Sequence, residues 1–184
     1  LDREGQPLGP YAKLYEQLYL SFYENTLTLY RDQYPMFGDA EVMPIKVIWD
    51  YTYYWGVLCQ LVFQERLTDI ALLGAVRDEL NRAQALNRRM QLFFRQWHAQ
   101  SRNRNDAVML DQRELDWFVA MNRGLHDVLT TDQLVARLRT YVAMMDTLAA
   151  AIGRRASRAC PGLDARDAGG DATAPAPALF GLAA

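Results

Sequence analysis

Trp49-Asp50-Tyr51-Thr52-Tyr53-Tyr54-Trp55 places five aromatic residues in seven positions. Its Tyr and Thr content would suit a β-strand. The length of the apolar run around it, and the absence of turn residues inside it, favour a helix from about Glu41–Pro44 to Gln64. Pro44 fits a first turn, where its missing N–H costs nothing. Val47, Ile48, Trp49, Tyr51, Tyr54, Trp55, Val57, Leu58 and Leu61 fall on every side of that helix. A helix apolar all round belongs at the centre of its domain.

Upstream, Tyr11, Leu14, Tyr15, Leu18 and Phe22 repeat at helical spacing and predict an apolar face, with Lys13, Glu16 and Glu24 off it. This first helix is expected to end near Tyr34-Pro35, because proline disfavours helical geometry in the residue before it. Phe37-Gly38-Asp39 reads as a turn. Nine of the ten tyrosines lie in the first 54 residues. Side chains with an apolar ring and a polar tip gather where one side is dry and the other meets a ligand or partner.

Downstream, Thr68 is the expected N-cap of a third helix, with Asp69 in its first turn. The stripe Leu86, Met90, Phe93, Trp97 carries that helix to about Ser101, with a break expected near Gly74. Residues 102–106 form a polar loop. A short helix is expected from Asp111 to Met121, capped by Asp111 with Glu114 three residues on, and ended by Arg123-Gly124. Thr131 is expected to cap a last helix whose stripe is Leu134, Val135, Leu138, Tyr141, Val142, Met145 and Leu148. From Gly153 the periodicity stops and Ala, Gly, Asp and Pro take over. The expectation is an all-α fold: an irregular bundle of about five helices over 1–152 and a disordered tail over 153–184.

Composition bounds the function. A chain of 184 residues can bury a full core in one domain. A net charge of −2 argues against a polyanion binder. Two cysteines, Cys59 and Cys160, make no disulfide framework and fit a reducing cytoplasm. Asp2, Arg3 and Glu4 interrupt any apolar leader, and no apolar stretch reaches the length of a membrane span. The start at Leu1, with no Met, fits a piece of a longer protein.

The familiar catalytic patterns are absent. There is no Gly-x-Gly-x-x-Gly and no Gly-rich loop ending in Lys-Ser or Lys-Thr to cradle phosphate. No Gly-x-Ser-x-Gly turn and no Glu-x-x-His metal motif occurs. The two histidines, His98 and His126, lack zinc-site spacing. His98, at a helix end, reads as structural. His126-Asp127 is a candidate acid–base pair, although adjacent loop residues are more often surface polar groups. Arg82, Arg88, Arg89, Arg95, Arg102 and Arg104 form a basic stretch that reads either as a contact to phosphate or an acidic partner, or as a solvated face. The near-neutral chain favours the solvated face and no nucleic acid.

The stretch Ile48-Trp49-Asp50-Tyr51-Thr52-Tyr53-Tyr54-Trp55-Gly56-Val57-Leu58 resembles the C-terminal helical region of flavin-dependent halogenases, the tryptophan-halogenase-like branch of FAD-dependent monooxygenases. The segment from Leu14 to Tyr34 is similar to the family's helix before that motif. So is Ala85-Leu-Asn-Arg-Arg-Met-Gln-Leu-Phe-Phe-Arg-Gln-Trp-His98. The resemblance implies an N-terminal FAD-binding domain as partner, FAD bound outside this chain, and an aromatic small-molecule substrate covered by these helices. It implies no catalytic residue here: no Trp-x-Trp occurs, and neither Lys13 nor Lys46 stands in the family's lysine context. By position, Ile48 and Tyr53 match places that line the family's substrate pocket, and Tyr54 lies beside them. Two other readings stand next to it: an independent helical interaction module without a cofactor, and a small enzyme using His126-Asp127. The halogenase reading predicts a large exposed aromatic and apolar surface where the FAD domain belongs, whereas the interaction module predicts that this surface is closed or buried in a homodimer.

Overall fold

The computed structural model of the chain describes residues 4–5, 7–101 and 111–170. Among the described residues the fold is all-α, an irregular bundle with no strand. Helix α1 is Gly9–Tyr30. Helix α2 runs without a break over 42–63, as Val42–Tyr53, a π turn at Tyr54–Leu58, and Cys59–Phe63. Helix α3 is Ile70–Ala75, α4 is Arg77–Gln100, α5 is Asp116–Arg123 and α6 is Thr131–Ala159.

The aromatic segment is helical and central, as its apolar circumference requires. Asp39 starts it: its Oδ1 accepts from the backbone N–H groups of Glu41 (3.0 Å) and Val42 (3.1 Å), satisfying orphan donors of the first turn. Val42, Ile45, Trp49 and Tyr53 enter the main core. There they join Met90, Phe93, Phe94 and Trp97 of α4 and Met145, Leu148 and Ile152 of α6. Ile48 points to the other side and packs with Leu115 and Phe118. The stripe Leu86, Met90, Phe93, Trp97 is buried throughout.

Several boundaries differ from expectation, each for a local reason. Helix α1 stops four residues early. Arg31 turns extended, Asp32 takes φ 59°, and the chain bends so that Gln33 and Met36 are buried. Pro35 instead sits in a 3-10 turn at Tyr34–Met36. Tyr11 and Tyr15 were expected on the packed face, but only Leu14, Leu18 and Phe22 are half-buried there, because α1 rests mainly on α4. The cap of α3 is Asp69, whose side chain accepts from Leu72 N–H, and the break falls at Val76 rather than Gly74. Asp111 caps a 3-10 turn at Gln112–Glu114, and α5 begins only after Leu115 has been tucked into the core. Thr130, not Thr131, caps α6, and it forms a capping box with Gln133.

The largest correction concerns the expected boundary at 152. Helix α6 continues through Gly153 to Ala159, and Cys160, Leu163 and Ala168 are buried in the main core. The glycines and alanines there permit close backbone approach. A Cβ on Gly153 would lie 2.5 Å from the Ala165 carbonyl oxygen, and one on Gly170 would lie 2.2 Å from that of Asp146. Arg89 fastens this strap from α4, donating to the carbonyls of Arg166 (2.8 Å) and Asp167 (3.0 Å). The packed structure therefore reaches residue 170, and the rest of the expected tail, 171–184, lies outside the described residues.

Candidate functional site

The end of α1 and one face of α2 enclose an open groove of about 520 Å³. Thr26, Leu29 and Tyr30 form the α1 side, and Phe37 comes from the turn between the helices. Met43, Lys46, Val47, Asp50, Tyr51 and Tyr54 recur three and four residues apart along α2, so they share the facing side. Leu58 extends the row past the π turn. That turn adds a residue to one helical winding, and such bulges are frequent at functional sites. Here Tyr54 and Leu58, the two ends of that turn, line the groove while Gly56 and Val57 stay buried against the bundle.

The aromatic wall is braced from behind. The rings of Tyr51 and Trp55 lie 4.7 Å apart, and Trp55 meets Phe118 at 4.7 Å. Tyr54 is exposed, and the neighbouring Cys59 is the main influence pushing its phenol upward. Burial in turn raises the Cys59 thiol.

Among the described residues, Lys46 and Asp50 are the only ionic side chains on the groove wall. Lys46 is 1% exposed; its Nζ donates to the Leu29 carbonyl of α1 (3.1 Å) and pairs with Asp50 Oδ2. Asp50 Oδ1 accepts from Gln91 Nε2 (2.7 Å). Gln91 Nε2 also reaches Asn87 Oδ1, which accepts from Trp49 Nε1 (2.9 Å). Burial pushes the Asp50 carboxyl up, and Lys46 and Gln91 oppose that by favouring the carboxylate. A chain of hydrogen bonds thus runs from the core tryptophan to the groove. Sequence reasoning passed over this pair. Its signal was a Lys and an Asp four apart inside an otherwise apolar helix, a pattern that places opposite charges side by side where lone charges are rarely buried.

Of the three candidate substrate residues, Tyr54 lines the groove. Tyr53 is buried, and its hydroxyl donates to Asn25 Oδ1 (2.7 Å), pinning α1 to α2. Burial raises its phenol strongly. Ile48 is fully buried on the opposite flank. These two support the groove from behind.

The other candidates are committed elsewhere. His98 Nδ1 lies 2.7 Å from Asp39 Oδ2, joining the end of α4 to the start of α2. Burial alone would raise the Asp39 carboxyl, but His98 and the two backbone donors outweigh it and hold the group below the usual range. Asp127 is engaged by Arg137 (2.7 Å), and His126 meets Phe63 edge-on, so they form no acid–base pair. Arg82 pairs with Asp146, Arg88 with Glu24, and Arg95 donates to the Arg31 carbonyl. The basic stretch therefore ties helices together; Arg102 and Arg104 lie outside the described residues. Among the described residues no His, Cys, Asp or Glu cluster is arranged for a metal, and no helix is long and apolar enough to cross a membrane.

The tyrosine ladder occupies the part of α1 before the groove, and its last member, Tyr23, lines a separate pocket with Leu20, Leu27, Arg31 and Arg88. Tyr11, Tyr15, Tyr19 and Tyr23 are 64%, 72%, 60% and 55% exposed. At 3.6 residues per turn, they and the groove-lining Thr26, Leu29 and Tyr30 fall within about 120° of the α1 circumference. The ladder thus shares a broad side of α1 with the groove-lining residues, turning by about 40° at each step.

No family model matches the chain, and neither a curated protein nor a solved structure matches it.

Proposed function

We propose that this chain is the substrate-covering helical part of a flavin-dependent halogenase or related FAD-dependent oxidoreductase, acting on an aromatic substrate and not catalytic alone. The observation that carries this reading is the exposed tyrosine ladder on the helix that also forms one wall of an aromatic groove. Each such ring offers on the order of 150–250 Å² of burial. At their exposures the four together present roughly 400–600 Å² of ring surface, comparable with the largest patch of an ordinary monomer, and such patches are often functional. On this reading the ladder receives the flavin domain, and the groove farther along α1 covers the substrate, with Tyr54 on its wall.

The chain's own residues do not fit an FAD site, because no Gly-rich turn is present to hold a pyrophosphate. The flavin belongs to the partner domain, and no chemical step is assigned to this chain.

The deciding experiment is to sequence the reading frame upstream of Leu1. A Gly-x-Gly-x-x-Gly segment between a strand and a helix is expected there, and a frame without one overturns the reading. Sedimentation of the isolated chain addresses the rival, an independent interaction module. A stable homodimer that buries the tyrosines would favour that module.

A further inference from the structure

We propose that the groove binds an organic cation with an alkylated ammonium head, held against the rings of Tyr30, Phe37, Tyr51 and Tyr54. This deepens the reading above by naming the substrate class, an aromatic compound that carries a quaternary ammonium, and it rests on taking this groove as the substrate site.

The four rings are the first support. Each is 41–50% exposed, so a guest in the groove reaches them directly. An aromatic face carries negative charge density and attracts a cation within about 6 Å of its centroid. The groove's volume of about 520 Å³ falls in the range of small-molecule sites, roughly 300–1,000 Å³. Fixed charge is the second support. The α1 side of the groove is Thr26, Leu29 and Tyr30, the last turn of a helix that ends at Tyr30. A helix C-terminus carries the equivalent of about half a negative charge, which favours a cation. Asp50 adds a carboxylate on the facing wall. Lys46 is the opposing charge, but it is recessed: its side chain is 2% exposed against 19% for Asp50. A guest therefore meets the carboxylate first, and attraction to the nearer charge exceeds repulsion from the farther one.

The chemistry of the head group follows from what is already paired. The two charges of the groove engage each other, Lys46 also holds the Leu29 carbonyl, and Asp50 also accepts from Gln91. A primary ammonium sheds water from three N–H donors on entry and needs acceptors in return. A quaternary ammonium has no N–H. It needs no hydrogen-bond partner and is attracted by rings and field alone. An anion meets the carboxylate and the helix end with the wrong sign, and a neutral guest of the same shape gains only burial.

The test titrates the 184-residue chain in about 0.15 M salt. The ligands are benzyltrimethylammonium, benzylammonium, choline and choline's uncharged isostere, 3,3-dimethylbutan-1-ol. Binding is followed by calorimetry and by amide NMR shifts. Saturable benzyltrimethylammonium binding is expected, with shifts at Phe37, Tyr51 and Tyr54, and benzylammonium is expected to bind less tightly. Choline is expected to bind about tenfold more tightly than its isostere. Tyr54→Leu, at an exposed position, keeps apolar bulk and removes the ring. It is expected to weaken both quaternary cations about fivefold and to leave the isostere unchanged, whereas Tyr54→Phe retains cation binding. Equal affinity for choline and its isostere, benzylammonium as tight as the quaternary cation, absence of saturation, or shifts mapping outside the groove would each overturn the proposal. So would a Tyr54→Leu chain that binds the cations as tightly as the parent. A frame lacking the upstream dinucleotide-binding segment, together with an intact choline preference, would sink the flavoprotein reading and leave the cation site standing. A frame that has the segment, with no choline preference, would do the reverse.

Discussion

Tyr53 and Tyr54 are neighbours in sequence with opposite duties. One hydroxyl is spent inside on Asn25, and the other ring is spent outside on the groove. Tyr53→Phe is therefore expected to destabilise the fold by about 1–2 kcal/mol, because it leaves Asn25 Oδ1 with only the long contact from Gln84 Nε2 (3.5 Å). Urea denaturation measures this, and a loss under about 0.3 kcal/mol would contradict the pinning role. Asp39 carries a second prediction. Its carboxyl is lowered in the folded state, so its contribution is complete above the ordinary carboxylate range and is lost as pH falls through the folded value. Asp50 is shifted the other way, so its contribution favours folding at low pH and is lost as pH rises through its folded value. Stability between about pH 5 and pH 2 is expected to fall less steeply in Asp39→Asn than in the parent, as measured by denaturation at each pH. Residue roles such as these were only half legible. The aromatic character of 49–55 is plain in the sequence. Which of two adjacent tyrosines faces inward depends on where α1 docks, and local spacing does not encode that.

At the scale of elements, periodicity located every long helix and misjudged the joints. The stripe from Leu86 to Trp97 and the one from Leu134 to Leu148 are both buried because α4 and α6 pack lengthwise in the core. The π turn was illegible, since an extra residue in one winding leaves no gap in an all-apolar helix. The strap after Gly153 was misread because Gly and Ala are ambiguous: the same small residues mark loose chain and tight backbone contact. That ambiguity yields a paired test. Gly153→Val would drive a side chain into the Ala165 carbonyl and is expected to cost about 1–3 kcal/mol. Gly74→Ala, in α3 with nothing within 4 Å of the new methyl, is expected to be neutral or to gain up to about 1 kcal/mol. Equal effects in thermal melts would remove the case for close packing at the strap.

Across the whole molecule, burial is uneven. Helices α2, α4 and α6 hold most of the core, whereas Asn25 is the only buried residue of α1. The attachments of α1 to the body include the Tyr53–Asn25 and Lys46–Leu29 hydrogen bonds and the half-buried Phe22. Its amides are therefore expected to exchange with deuterium well before those of α4 and α6, since local opening follows the number of buried contacts broken. Protection of α1 equal to that of α4 would refute this. The consequence reaches binding. One wall of the groove belongs to a helix set in the core, and the other to a long helix with a single buried residue. A guest between them must meet an ordering cost on one side only, and a slowing of α1 deuterium uptake becomes a direct gauge of occupancy, readable without knowing the guest's chemistry.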